Sequence, residues 1–415
     1  MLSRHSLPPL LPPRPLTGPA ATARRLGDRL TRLLRPLRVL DAVRWPDETE
    51  RAFHADGGTE LPAVDPTTYH RRPLPFCAAQ TGRELAALDR DIRNELCADD
   101  PAARLLRKAV READLSARLL AARGTPRFAG LSRELYGSTT GAGWVPELTG
   151  LLESLLATLP ADEPADRTLS AAEAAAELAA RFAAYFGPAS RIVVSVCGAI
   201  ASDAAAGNCY LKLRAGALFS PADVRLLEVH EGWAHLATTL NGLRQPVLPV
   251  LARCTPSGTR TQEGLAVFLE LVTGSASRGR VAKLLNRVRA VAMAEAGADF
   301  RDVYRFFVEA TGNPSESYRQ TARVFRGSLP TGGPFTKDLS YGEGLVRVLR
   351  FVRQELAGGG WGRVPLLVCG KSAVEDVGLL AELGRRGWLA PPRWVPPPLR
   401  DRPGLLARLE VLAGV

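Results

Sequence analysis

Two histidines five residues apart, inside a stretch that must be helical, constrain this chain more than any other feature. His230-Glu231-Gly232-Trp233-Ala234-His235 follows Ser220-Pro221-Ala222-Asp223. That tetrapeptide opens a helix with a capping Ser, a Pro at the first helical position and an acid in the first turn. Only five histidines, at 5, 54, 70, 230 and 235, occur among 415 residues, so the close pair stands out. Zinc peptidases usually space such a pair as H-E-x-x-H, where four residues advance an α-helix by about 400° and leave the rings about 40° apart. Five residues leave them about 140° apart, too far to meet at one ion. One extra residue taken up as a π-bulge realigns them. Gly232, which costs about 1 kcal/mol inside a regular helix, suits a distorted or closely packed turn.

A catalytic zinc takes three protein ligands and keeps one position open. Thr261-Gln262-Glu263-Gly264-Leu265-Ala266, 28 residues after His235, offers Glu263 as the third ligand. Thr261 is expected to cap that helix, which would place Glu263 in its first turn. Gly264 has no propensity reason to be helical, and it suggests a close helix–helix approach. The remaining histidines have no ligand-spaced partners.

The rest of the chain reads as α+β and mainly helical. Residues 1–20 are expected to be disordered. An Arg-rich segment at 22–40 is expected to lie on its own domain with its arginines in solvent, since Pro36 interrupts it. Boundaries are expected at 1–45 (a Pro/Arg-rich arm, partly disordered), 46–160 (an N-terminal helical region), 167–400 (the metal domain) and 401–415 (a tail), with 161–166 as a linker. Ser170-Ala171-Ala172-Glu173 is a capping box opening an Ala-rich helix. Arg191–Cys197 and 209–214 have strand patterns and suggest a small antiparallel pair beside the metal helix. Asn241-Gly242 suggests a left-handed stop to that helix. Val364–Val368 suggests one more strand. Cys369-Gly370-Lys371-Ser372 resembles the end of a P-loop, but Pro365 stands where the first Gly is required.

Composition removes several classes. No apolar run reaches the ~18 residues of a membrane helix. The net charge is +11, but 49 of the 54 basic residues are Arg. With 6% aromatic residues and no binding motif, the excess reads as compositional, and no nucleic-acid partner is expected. It would still favour acidic partners. The six cysteines form no C-x-x-C. With prolines breaking any signal-like apolar stretch near residue 10, they point to free thiols in the cytoplasm. The sequence says nothing of oligomeric state.

Three segments carry a family resemblance: Val229–His235, Thr238-Thr239-Leu240-Asn241-Gly242, and Thr261–Ala266. They are joined by Leu135-Tyr136-Gly137, Val324-Phe325-Arg326-Gly327 and Gly332-Gly333-Pro334-Phe335-Thr336-Lys337-Asp338. Over roughly residues 75–400 the chain resembles the bacterial "flavohemoglobin expression-modulating QEGLA motif" proteins, a family similar to the eukaryotic microtubule-associated tyrosine carboxypeptidases. Ala234 departs from the Val usual there. The resemblance implies a zincin-like fold, Zn2+ held by His230, His235 and Glu263, and Glu231 as general base. The substrate would be a peptide or protein C-terminus, with a terminal tyrosine or another bulky residue preferred. A carboxypeptidase also needs an oxyanion donor, for which Tyr341 and Tyr318 are candidates. It needs a cation for the terminal carboxylate, for which Lys337 comes first and Arg326 second. A substrate strand is expected to add to the edge of 209–214. The alternative is a non-catalytic, zinc-stabilised regulator acting through a protein partner; an intact Glu231 disfavours it, because a structural site needs no base.

Overall fold

The computed structural model describes residues 15–161, 167–187, 190–198, 203–207 and 209–413. It is mainly helical, with two small sheets. No described helix is long and apolar enough to cross a membrane. The linker 162–166 and residues 1–14 lie outside the described residues.

The first helix, Gly18–Leu34, begins within the segment expected to be disordered. Its stripe of Ala23, Leu26 and Leu30 is fully buried against helices Ala78–Glu95 and Pro101–Ala121. Its arginines face outward, and Arg25 and Arg29 pair with Glu95 and Asp91. The helix stops just before Pro36, as a ring without an N–H requires.

The centre of the molecule is the crossing of helices Pro256–Val272 and Leu339–Ala357. Gly264 and Gly344 make the crossing possible: a Cβ on Gly264 would lie 2.0 Å from the Gly344 carbonyl carbon, and one on Gly344 2.0 Å from the Arg260 oxygen. Gly264 therefore serves a contact with this later helix. Around the crossing lies the largest apolar core, which includes Leu265, Phe268, Leu345 and Val348.

Strands β1 (Leu169–Ser170) and β5 (Leu218–Phe219) pair antiparallel. The other sheet has the order β2–β4–β3, from Val193–Cys197, Tyr210–Arg214 and Ala204–Ala206. Here the expected antiparallel pair is wrong, because β2 and β4 are parallel, with Val193 opposite Tyr210. The cause is β3, three alanines without strand signal. It turns at Gly207 into a hairpin with β4, so β2 takes the other edge running in the same direction as β4. Since β4 is interior, a substrate strand cannot add to it. The strand lying against the metal helix is β3.

Three local expectations also fail. Gly242 is inside helix Ala237–Leu243, not a left-handed stop; a Cβ there would lie 2.4 Å from the Leu251 oxygen. Thr261 is interior to its helix, which Thr255 caps ahead of Pro256. The Thr261 hydroxyl instead accepts from the Val374 N–H at 2.8 Å. Trp361–Val368 is 3-10 helix, since Pro365 fixes φ and lacks the N–H a strand ladder uses.

Candidate metal and peptidase site

The helix carrying the histidines is over-wide, as their spacing requires. Glu228–Leu236 is a π-helix, entered from Pro221–Leu227 and left into Ala237–Leu243. The i→i+5 pairing of a π-helix stacks each residue over the fifth one on, which brings His235 above His230. Gly232 packs against the Phe182 ring, with room for no side chain: a Cβ would lie 2.5 Å from Cε1. Glu228 anchors the first turn by accepting from Arg181 at 2.7 Å and Arg225 at 2.9 Å.

His230, His235 and Glu263 meet, with one donor atom from each within 4.8 Å of the others. The Nε2 atoms of the two histidines are 3.3 Å apart, with the rings nearly perpendicular. Two ligands at 2.0–2.1 Å from a tetrahedral ion stand about 3.3 Å apart, so the pair fits a metal without rearrangement. Glu263 Oε2 lies 3.7 and 3.5 Å from the two nitrogens. That oxygen is buried and has no hydrogen-bond partner among the described residues, as an oxygen reserved for an ion would be. Two imidazoles and a carboxylate form a donor set suited to a divalent transition metal.

Behind this group stands Glu270, which the sequence reading missed. It is fully buried, accepts from His230 Nδ1 at 2.5 Å and takes two bonds from Arg280 at 2.8 Å. A carboxylate on Nδ1 fixes the tautomer and aims Nε2 at the metal position. The signal was available: Glu270 is seven residues after Glu263, two helical turns along the same face, in an otherwise apolar run.

Electrostatics agree with a cation site. Burial pushes the His230 imidazole down, but Glu263 and Glu270 outweigh it and raise the pKa to about 10. Burial likewise raises the Glu263 carboxyl, and Lys337 with both histidines brings it well below the usual range. Carboxylates that hold a proton on an imidazole so firmly also favour a divalent ion in its place.

Glu231 is partly exposed on the π-helix between the two histidines and outside the three-residue group. Tyr341 stacks on His230, with centroids 6.5 Å apart. Lys337 is buried, with Nζ 3.5 Å from Glu263 Oε1 and 5.9 Å from the Tyr341 centroid. Arg326 lies over the Phe335 ring and 4.0 Å from Asp338. Tyr318 packs elsewhere, among Phe53, His54 and Phe300. A groove of about 530 Å³ runs past Lys337, Lys371, Arg253, Arg35 and Arg38, and among the described residues no acidic one lines it.

No curated protein matches this sequence. Among solved structures, a crystal structure described as that of a lipoprotein from Colwellia psychrerythraea overlaps with a TM-score of 0.39 and 14% identity, covering 97% of this chain and 77% of that one. The family model for microtubule-associated tyrosine carboxypeptidases matches residues 51–415, which includes both histidines, Glu263 and Glu270. With the match spanning the π-helix, the glycine crossing and the residues that meet there, the chain belongs to the microtubule-associated tyrosine carboxypeptidase family.

Proposed function

We propose that the protein is a zinc-dependent metallocarboxypeptidase that removes single residues from peptide or protein C-termini, with a bulky or aromatic terminal residue preferred. The observation that carries this reading is the His230–His235–Glu263 group at tetrahedral spacing, backed by Glu270, in a chain of a carboxypeptidase family. When bound, zinc supplies a Lewis acid that polarises the scissile carbonyl and acidifies water. Glu231 then acts as general base, taking a proton from the attacking water and handing it to the departing amine. Tyr341, stacked on His230, donates its hydroxyl to the oxyanion. A cation receives the terminal carboxylate, with Lys337 and Arg326 in the neighbourhood. Tyr318 is buried in an aromatic cluster with Phe53, His54 and Phe300, whereas Tyr341 lies against His230, so Tyr341 is the better donor. The cationic groove supports a preference for acidic residues upstream of the cleaved bond.

A library of peptides with varied C-termini, incubated with zinc-loaded protein and read by mass spectrometry, tests the reading. Loss of one C-terminal residue is expected. Internal cleavage would make the protein an endopeptidase, and no cleavage by protein shown to hold about one zinc per chain would refute catalysis.

A further inference from the structure

Three guanidinium groups converge on one carboxylate beside the metal group. Arg323 donates to both oxygens of Asp338, at 2.6 and 2.8 Å. Arg287 and Arg326 stand 4.0 Å from the same carboxylate, beyond hydrogen-bond reach. Their side chains are only 9% and 17% exposed. Arg287 Nε has one long contact, 3.5 Å to Gln320 Oε1. Its Nη1 and the Nε of Arg326 are buried without a partner among the described residues.

The neighbouring charges do not cancel these two. Glu270 is bound to Arg280, Glu263 faces Lys337 and the histidines, and Asp338 is taken by Arg323. Arg287 and Arg326 therefore share with Arg323 a single carboxylate that cannot balance three guanidinium charges, and a buried cation so weakly paired is costly. Burial and the neighbouring Arg323 bring the Arg326 guanidinium down to about 10. A surplus of this kind is what an incoming anion relieves.

The surplus lies at the reaction centre. The Arg287 guanidinium is 4.7 Å over the Tyr341 ring, and Tyr341 stacks on His230. One aromatic ring thus separates this cation from a metal ligand. The guanidinium fork matches a carboxylate in two parallel bonds, which an ammonium does not. Lys337 is already engaged with Glu263.

We propose that Arg287 and Arg326 form the anion pocket that receives the substrate's terminal carboxylate, while Lys337 positions Glu263; the identity of the anion rests on the carboxypeptidase reading. Sequence offered no route to Arg287, which sits 39 residues before Arg326 on another helix, Arg278–Glu295.

The test uses zinc-loaded full-length protein at fixed ionic strength. N-acetyl-L-tyrosine should raise the melting temperature and N-acetyl-L-tyrosinamide should not. Arg287→Gln and Arg326→Gln should each weaken the response to the free acid at least tenfold, and Lys337→Gln, with zinc content verified, should retain it. A second readout is the ratio of kcat/KM for free-acid and amidated peptides within one preparation, which does not depend on the fraction folded. Both arginine variants should lower that ratio, chiefly through the free-acid substrate. The proposal is overturned if the arginine variants respond like wild type, if the amide shifts melting as much as the acid, or if only Lys337→Gln abolishes the response. If no peptide is cut, the carboxypeptidase reading fails and the melting response alone decides the arginine pocket. If single C-terminal residues are removed with the free-acid preference intact in both arginine variants, that reading stands and the pocket is refuted.

Discussion

Replacing Glu270 by Gln separates two tasks that one carboxylate performs. In the structure it holds His230 Nδ1 at 2.5 Å and the Arg280 guanidinium by two bonds at 2.8 Å, with no exposure of its own. Removing one partner of a buried ion pair costs about 3–5 kcal/mol, because the other charge stays behind. Gln keeps one acceptor oxygen, so a loss of about 2–4 kcal/mol is expected, measured by urea denaturation of the metal-free protein. The second loss is in orientation. Deleting a partner of a metal-bound histidine lowers metal affinity about 10–100-fold, which a chelator competition reads directly. The pair Glu270→Leu with Arg280→Met separates the two effects. It replaces both charges by apolar groups and should recover most of the stability, since apolar replacements of buried pairs are often neutral or better. Zinc affinity should stay weak, because nothing then fixes the imidazole. If the double variant recovers both stability and zinc affinity, or if Glu270→Gln binds zinc like wild type, Glu270 is a structural counter-ion only.

Three further outcomes are expected. Glu231→Gln should retain zinc while turnover falls by roughly 10²–10⁴, the usual loss on removing a general base; lost zinc would mark Glu231 as a ligand. Gly232→Ala should destabilise by about 1–3 kcal/mol in urea despite the better helix propensity of Ala, because its methyl would meet Phe182, and Phe182→Leu should restore part of that loss. Peptides with acidic residues upstream of the cleaved bond should show lower KM than neutral ones, by a margin that shrinks as salt rises; reversing Arg35 and Arg38 to Glu should abolish the difference.

The chemistry of the site was legible in the chain because it is local. The five-residue interval between His230 and His235 required a widened helix, and Gly232 marked where it is; a period that breaks 3.6 can be read without coordinates. Glu263 stood out as a third donor beside two histidines, and the fold brings the three together. The buried stripe of the first helix was visible in its leucine spacing, though not its start at Gly18. What failed was set by distant partners. Strand direction depended on Ala204–Ala206, which have no propensity for a sheet and pair only because β4 is beside them. Gly242 read as a stop, but it is small because the Leu251 backbone crosses it; Gly264 read as a close helix approach, and what the sequence left open was the partner, the later helix at Gly344. Buried charge was the least legible of all. Arg280, Arg287, Arg323 and Asp338 come from three segments, and each alone resembles an ordinary surface residue; only Glu270 was marked, by the apolar run around it. Whether a charge is neutralised or left in surplus depends on which charges lie within a few ångströms of it, and only the folded chain sets those distances.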